Sequence, residues 1–384
     1  MISQRLPKDL APSPFFAELD RLKALGEFLD LTVSSPLKAG ISPDLEGAVG
    51  ASSNFWGRWE PNPRGSLLAR RAVAGYYSDR GGSFEEGDFI LTASTSEAYS
   101  FLFKAFSDPG DVVLTPMPGY PLLDALASLE HLRCHPYFLK LRSGRFELDL
   151  ASLLSAPERA KILLLVSPHN PTGHSVSLEE WEGVCAFCSE RRLVLVVDEV
   201  FGDYRAEGTF ERTWKFPRPG DVPIFWLNGL SKTVGSPELK LGWMACSLPE
   251  ASRAGMLDAL EYVADAYLGV SAPAEALAVP LLKTSLAFEE RVNARIRGNL
   301  ALLRECFPLE ACPKIIGGWY AALHLEVDDE AFTLRLLEAW RVLVQPGFFF
   351  DFDGDGWLVL SLLAEPAIFA EGLRRLSRAA ERLG

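Results

Sequence analysis

Short apolar runs alternate with amphipathic helical segments along the first two thirds of the chain, and this alternation constrains the fold more than any other feature. Strands that are apolar along their whole length are covered on both faces, which is typical of a mostly parallel sheet. The sequence therefore predicts an α/β fold of three αβα layers, with the sheet in the middle. The predicted strands lie at residues 89–91, 112–114, 162–166, 193–197, 224–227 and 243–246.

A change of pattern at about residue 281 predicts a second, smaller α+β domain. The first 47 residues contain five prolines and are expected to form an arm, with one helix at about 15–28, that packs with this small domain. The small domain is expected to have helices at 281–306 and 366–383 and strands at 320–327, 342–345 and 357–362. The predicted boundaries are 1–47 for the arm, 48–280 for the large domain and 281–384 for the small domain.

Composition excludes several classes of partner. The 384 residues carry a formal net charge of −13, and the basic residues form only small, scattered clusters. Nucleic acids and anionic membranes need clustered Lys and Arg, so neither is expected as a partner. No apolar run approaches the roughly 20 residues of a membrane helix, and the first residues lack the apolar segment of a signal peptide. Because the six cysteines show no zinc-like pairing, we expect a cytoplasmic protein that binds no metal.

The segment after the first predicted strand is suited to bind a phosphate group. Ser94 and Glu97 have the spacing of a capping box, so a helix is expected to begin at Thr95 and Ser96. The N-terminus of a helix offers free N–H groups and the positive end of the helix dipole. Taken alone, the same pattern is more often an ordinary helix cap.

Two further loops after predicted strands carry side chains that suit a planar ligand. Tyr120 lies in a Pro-Gly-Tyr-Pro string, whose prolines hold its ring rigidly enough to stack on such a ligand. Asn170 precedes a proline in an Asn-Pro-Thr-Gly string, which restricts its backbone and aims its amide. Taken alone, the first string is more often a turn with a packed tyrosine, whereas the second is less generic.

Asp198 and Lys232 are the candidate reactive residues. Asp198 ends an apolar run, and a buried carboxylate there needs a cationic partner such as a protonated ring nitrogen. Lys232 lies on a loop between two predicted strands, beside small and hydroxyl residues. Partial desolvation lowers the pKa of such a lysine, so that its neutral amine can attack an aldehyde. A lone Ser-Lys pair is more often a solvated surface lysine, and the other loops reverse that expectation.

The groups on these loops are together complementary to pyridoxal 5'-phosphate (PLP). They comprise an amine for its aldehyde, a helix end for its phosphate and an aromatic ring to stack on the pyridine. An amide suits the phenolate oxygen, and an aspartate keeps the ring nitrogen protonated, so that the cofactor acts as an electron sink.

The order of these motifs resembles that of the aspartate aminotransferase superfamily, the fold-type I PLP enzymes of aminotransferase class I/II. The motifs are Ser-x-x-Glu-Ala, Pro-x-Tyr-Pro, Asn-Pro-Thr-Gly, Asp-Glu and Ser-Lys, with a basic residue eight positions after the lysine. The resemblance covers nearly the whole chain and implies the fold of PLP-dependent transferases and a homodimer with shared active sites. It also implies that Lys232 forms the internal aldimine and then acts as general base and acid. The other implied cofactor contacts are Thr95 and Ser96 at the phosphate, Lys240 at the phosphate in place of an arginine, Tyr120 on the ring, Asn170 at the phenolate oxygen and Asp198 at the ring nitrogen.

The chain departs from the family pattern at several positions. Phe201 replaces a tyrosine that donates to the phenolate oxygen, and Trp59 stands where a tyrosine of the neighbouring subunit often reaches the phosphate. Val359 stands where the family usually has the arginine that binds the substrate α-carboxylate. Ser35 and Gly40 match an arm segment near the substrate, and we expect them to supply backbone donors to the carboxylate instead.

The predicted function is the transfer of an amino group from an amino acid to a 2-oxo acid. A PLP enzyme of another reaction type (a decarboxylase, lyase or oxidase) is the alternative, because Phe201 and Val359 change proton handling and carboxylate anchoring. A third reading is a ligand sensor, such as the aminotransferase-like half of a transcription regulator. That reading is disfavoured by the acidic charge and by the absence of a recognisable DNA-binding domain.

Overall fold

A computed structural model describes residues 3, 5–7, 10–52 and 61–383, so the prediction for Trp59 lies outside the described residues. The strands are β1 Leu29–Asp30, β2 Phe89–Thr92, β3 Val112–Met117, β4 Arg133–Arg142, β5 Arg145–Leu148, β6 Ala160–Val166, β7 Val194–Asp198, β8 Ile224–Gly229, β9 Gly242–Ser247, β10 Tyr320–His324, β11 Val342–Leu343, β12 Gln345–Pro346 and β13 Trp357–Ser361. The α-helices are α1 Pro14–Lys23, α2 Leu45–Ala51, α3 Leu67–Ser78, α4 Thr95–Phe106, α5 Leu122–Leu129, α6 Leu178–Arg191, α7 Leu230–Thr233, α8 Arg253–Ala266, α9 Ala272–Lys283, α10 Ser285–Cys306, α11 Asp329–Trp340 and α12 Pro366–Leu383.

One eight-stranded sheet, in the order β2-β9-β8-β7-β6-β3-β4-β5, forms the centre of the molecule. Strands β8, β7, β6, β3 and β4 run parallel, whereas β9 is antiparallel to both of its neighbours. Successive residues of β6 belong to different apolar cores: Leu163 packs on one face of the sheet and Leu164 on the other. A sheet buried on both faces confirms the predicted three-layer α/β fold.

A smaller body follows α9. Its antiparallel sheet has the order β10-β13-β12, and its core includes residues of α10, α11 and α12. The arm contacts this body in two ways. Strand β1 pairs in parallel with β11, and Leu19 and Leu22 of α1 pack with Leu337 of α11. The domain boundaries stay a prediction.

Three local features differ from the sequence prediction. The helix expected at 281–306 is divided at Thr284 into the end of α9 and the whole of α10. The break was not predicted because the apolar periodicity continues through the junction. The β4–β5 hairpin was missed because only two of the ten residues of β4 are buried, so the strand lacks a continuous apolar run. Lys232 lies in α7, a single helical turn, rather than in an irregular loop. Within the described ranges, no helix has both the length and the apolar character needed to cross a bilayer.

Candidate active site

The strands bring the predicted polar residues to one edge of the central sheet. Asp198 ends β7, Asn170 follows β6, Tyr120 follows β3 and Lys232 follows β8. Strand β2 is antiparallel to β9, which is antiparallel to β8, so the turn that leads from β2 to Thr95 lies at the same edge. Ligands of open α/β sheets bind outside this edge, where the strands end.

The side chain of Lys232 contacts residues from three distant parts of the chain. Its Nζ donates a hydrogen bond to the backbone carbonyl of Ser34, at 3.0 Å. The ring centroids of Trp319 and Phe201 lie 4.8 Å and 5.7 Å from the same nitrogen. Burial lowers the pKa of Lys232 to about 8, although the nearby charge of Asp198 opposes this shift. At pH 7, about a tenth of the amine is therefore neutral and nucleophilic, far more than for an ordinary lysine.

Asp198 is held by two donors. Its Oδ2 accepts from the Tyr99 hydroxyl at 2.8 Å, and its Oδ1 accepts from the Val200 amide at 3.0 Å. Burial raises the pKa of Asp198, whereas the Val200 and Tyr99 hydrogen bonds and the charge of Lys232 lower it. A cation placed beside this carboxylate would offset the cost of its burial.

The start of α4 forms a rigid cradle. The Ser94 hydroxyl accepts from the Glu97 amide at 3.1 Å, and the Glu97 carboxylate accepts from the Ala93 amide at 2.6 Å. The Ser94 bond is one half of the predicted capping box, whereas the Glu97 carboxylate binds the amide of the residue before the N-cap instead of the N-cap amide. The two bonds leave Thr95 and Ser96 as the first residues of the helix, where the N–H groups have no intrahelical partner. Both residues are partly accessible to solvent.

The approach of β9 to this helix start requires a glycine. A Cβ atom added at Gly242 would lie 3.0 Å from the Ser94 carbonyl carbon and 3.1 Å from the Thr95 nitrogen. Backbone atoms cannot rotate away as a side chain can, so a larger residue at 242 requires the first turn of α4 to shift by a few tenths of an ångström.

Asn170 is buried, with 8% of its surface exposed, and its Oδ1 has no hydrogen-bond partner among the described residues. Its loop is held firmly, because the His169 amide donates to the His174 carbonyl at 2.7 Å and the Gly173 amide donates to the His169 carbonyl at 2.8 Å. A buried polar atom without a partner is costly, and a bound ligand is one way to satisfy it.

The remaining predicted residues are more exposed. Tyr120 keeps 48% of its surface accessible, on a turn that is fixed to the small body by a 2.8 Å bond from the Gly119 amide to the Phe350 carbonyl. Lys240 is exposed and has a left-handed backbone conformation. Their roles at the cofactor stay predictions.

The arm residues chosen from the sequence already use their backbone groups in a local turn. The Gly40 amide donates to the Leu37 carbonyl at 3.1 Å, and the Ser35 carbonyl accepts from the Ala39 amide at 3.0 Å. Ser34, rather than Ser35, contacts Lys232. A role for Ser35 and Gly40 in holding the carboxylate stays a prediction, and the Gly40 amide would have to leave the Leu37 carbonyl to take part.

Sequence reasoning missed three residues of the site: Ser34, Tyr99 and Trp319. Tyr99 is a polar aromatic residue on the buried face of α4, and its position one turn after Thr95 is the only sequence signal for it. Trp319 follows two glycines and packs edge-on against Phe201, with ring centroids 5.0 Å apart. Nothing in the sequence marks Ser34.

Val359 lies in the middle of β13, fully buried in the core of the small body. Its backbone is paired with Ala322 on one side and Gln345 on the other. The segment 357–363 contains no arginine. The position is therefore part of the apolar core.

Known proteins resemble this chain over almost its whole length. The profile of the family described as aminotransferase class I and II matches residues 57–368. The alanine aminotransferase of Mycobacterium tuberculosis is 28% identical over 381 residues, covering 94% of this chain and 88% of the relative. The S-alkyl-thiohydroximate lyase SUR1 of Arabidopsis thaliana is 27% identical over 334 residues, covering 81% of this chain and 70% of the relative. The structure of an alanine aminotransferase from Pyrococcus furiosus superposes with a TM-score of 0.89 at 22% identity, covering 100% of both chains. The family match spans most of the sequence, and the chain belongs to the aminotransferase class I and II family.

Proposed function

We propose that the protein is a PLP-dependent aminotransferase that moves an amino group from an amino acid to a 2-oxo acid, with Lys232 as the residue that binds the cofactor covalently. The observation that carries this proposal is the position of Lys232. Its amine has a lowered pKa, and it lies at the strand edge that also holds Asp198 and the start of α4.

The residues present fit PLP. The side chain of Asn170 is buried, and its Nδ2 group could donate to the phenolate oxygen, whereas its unpartnered Oδ1 can only accept. The glycine at 242 keeps the first turn of α4 accessible for a phosphate. The carboxylate of Asp198 suits a protonated ring nitrogen. Thr95, Ser96 and Lys240 would hold the phosphate, and Tyr120 would stack on the ring.

When bound, PLP supplies an electron sink for the carbanion that forms at the substrate α-carbon. Lys232 would hold the cofactor through its amine, and its Nζ would serve as the base and acid that moves the substrate α-proton. Asp198 keeps a proton on the ring nitrogen by its negative charge. The rings of Phe201 and Trp319 lie 5.7 Å and 4.8 Å from Nζ and contribute to the burial that lowers the pKa of Lys232.

The first experiment is covalent trapping. We expect PLP to bind and, after borohydride reduction, to label Lys232 in a peptide map. Lys232→Ala is the negative control, and Lys283→Ala, a substitution at the end of α9, is the matched positive control. A label on another lysine, or no label when the cofactor is bound, would reject the assignment.

Lyase chemistry is the second candidate, because one relative of this chain carries the name of a lyase. Amino donors can be mixed with the PLP-loaded protein, followed by a 2-oxo acid. Conversion of the cofactor to its amine form and its recovery by the 2-oxo acid support aminotransfer. Release of ammonia or a thiol without such a cycle supports a lyase.

We also propose that the protein works as a cytoplasmic homodimer, as the resemblance implies. Light scattering at micromolar concentration tests this point. A monomer with full activity would contradict it.

A further inference from the structure

A buried chain of hydrogen bonds runs behind the candidate site and connects the segments that carry Lys232 and Asp198. We call it the Tyr76 relay, after its central member. It consists of Thr233, Asn228, Tyr76, Asp203, Arg212 and Glu199, all of which are almost inaccessible to solvent.

The first part of the relay closes the turn around Lys232. Asn228 Oδ1 accepts from the Gly229 amide at 2.8 Å and from the Thr233 hydroxyl at 3.1 Å. Lys232 lies between these two donors in the chain. Asn228 Nδ2 donates to the Tyr76 hydroxyl at 3.2 Å, so Tyr76 fixes the orientation of the amide.

The second part of the relay reaches the segment that follows Asp198. The Tyr76 hydroxyl donates to the carboxylate of Asp203 at 2.8 Å. Arg212 donates to Asp203 at 2.9 Å through Nη1 and to Glu199 at 3.0 Å through Nε. Glu199 directly follows Asp198, and its amide donates to the Leu227 carbonyl of β8 at 3.0 Å.

We propose that Tyr76 is a positioning residue, which sets the place of Lys232 relative to Asp198 through the Tyr76 relay. The inference rests on the proposed role of Lys232. Buried ion pairs seldom increase stability over apolar packing of the same volume, so stability alone is a weak reason for such a chain. Hydrogen bonds depend on direction and therefore fix the relative positions of side chains, which apolar contacts do not. Burial raises the pKa of Tyr76, so its hydroxyl stays a donor over the whole working range of pH.

The test measures the pKa of Lys232 in the full-length protein with Tyr76→Phe and Tyr77→Phe. Tyr77 is the matched control. It is the next residue of α3, it is also buried, and its hydroxyl accepts one bond, from Trp243 Nε1 at 3.2 Å, outside the relay. Each protein is methylated reductively with a limiting amount of formaldehyde at a series of pH values between about 6 and 10. Peptide mapping then gives the methylation of each lysine against pH, and hence its pKa. Thermal unfolding reports the stability of each variant.

We expect Tyr76→Phe to raise the pKa of Lys232 from about 8 toward the ordinary value of 10.5, because a loosened turn admits water to the amine. Tyr77→Phe should leave the pKa of Lys232 near that of the unmodified protein even if its unfolding temperature falls. An unchanged pKa in Tyr76→Phe, or an equal shift in both variants, overturns the proposal.

A second pair of variants decides the question if Tyr76→Phe does not fold. Thr233→Val removes the donor to Asn228 with little change of shape, whereas Thr233→Ser keeps the hydroxyl. The proposal requires a raised pKa of Lys232 in the valine variant and a return toward the original value in the serine variant. Equal values in both reject it. Failure of PLP to label unmodified Lys232 would reject the proposed function separately, since methylation needs no cofactor.

Discussion

The amine of Lys232 donates a 3.0 Å hydrogen bond to the backbone carbonyl of Ser34, although the two residues are 198 positions apart in the chain. Ser34 belongs to the N-terminal arm, which also pairs with the small body through β1. The arm therefore covers the reactive amine.

The reaction of Lys232 with PLP should depend on pH in a defined direction. The neutral amine is the nucleophile, and the pKa of Lys232 is lowered by burial to about 8. The initial rate of covalent binding, measured by stopped-flow absorbance, should rise with pH through about 8 and then level off. A rate that still climbs steeply at about pH 10 would mean that the lysine is hydrated like a surface lysine.

Asp198→Asn should lower the rate of the proton shift by several orders of magnitude, because a neutral amide no longer favours a protonated ring nitrogen. The substitution should also lower the pKa of Lys232, since the charge of Asp198 raises it. Single-turnover kinetics with an amino donor measures the first effect, and the pH dependence of PLP binding measures the second. Near-normal turnover would remove Asp198 from the mechanism.

Tyr99→Phe tests the hydrogen bond that the Tyr99 hydroxyl donates to Asp198. The Tyr99 hydrogen bond lowers the pKa of Asp198, so its loss should raise that pKa and move the acidic limb of the activity profile to higher pH. Activity at neutral pH should fall by about tenfold to a hundredfold, since a hydrogen bond to a charged group contributes ~1.5–3 kcal/mol. Tyr262→Phe is the matched control, because Tyr262 is 81% exposed. Identical pH profiles for the two variants would contradict the role of Tyr99.

Gly242→Ala should weaken the affinity for PLP by about tenfold or more, equivalent to ~1.4 kcal/mol. The added Cβ meets the backbone of Ser94 and Thr95 at 3.0–3.1 Å and must displace the phosphate cradle. Gly255→Ala is the control, because a Cβ there meets no atom within 4 Å. Titration calorimetry gives both affinities. Unchanged binding in Gly242→Ala would mean that the phosphate lies elsewhere.

Much of the architecture was readable from the sequence because burial on both faces demands apolar strands. The run predicted at 162–166 corresponds to β6, Ala160–Val166, and that at 193–197 to β7, Val194–Asp198. Strand β4 lies between β3 and β5, and it escaped prediction because only two of its ten residues are buried and its exposed positions carry charged side chains such as Lys140 and Arg142. Apolar runs therefore predict buried strands well and solvent-exposed strands poorly.

The residues of the candidate site also divide into those that the sequence identifies and those that it does not. Polar residues directly after buried strands were identifiable, because parallel strands bring their carboxyl ends to one edge and polar groups there are exceptions to an apolar pattern. Asn170, Asp198 and Lys232 all belong to this class.

The sequence by itself determined the order of the buried strands along the chain, the resemblance to a family and the residues that stand at the strand ends. Only the tertiary structure decided which residues meet them: Ser34 and Trp319 beside Lys232, Tyr99 beside Asp198, and Tyr76 behind both segments. These contacts join residues far apart in the chain, and they depend on how helices and domains pack against the sheet. Periodicity reports the burial of each residue but not the identity of its neighbour, so no local pattern encodes them.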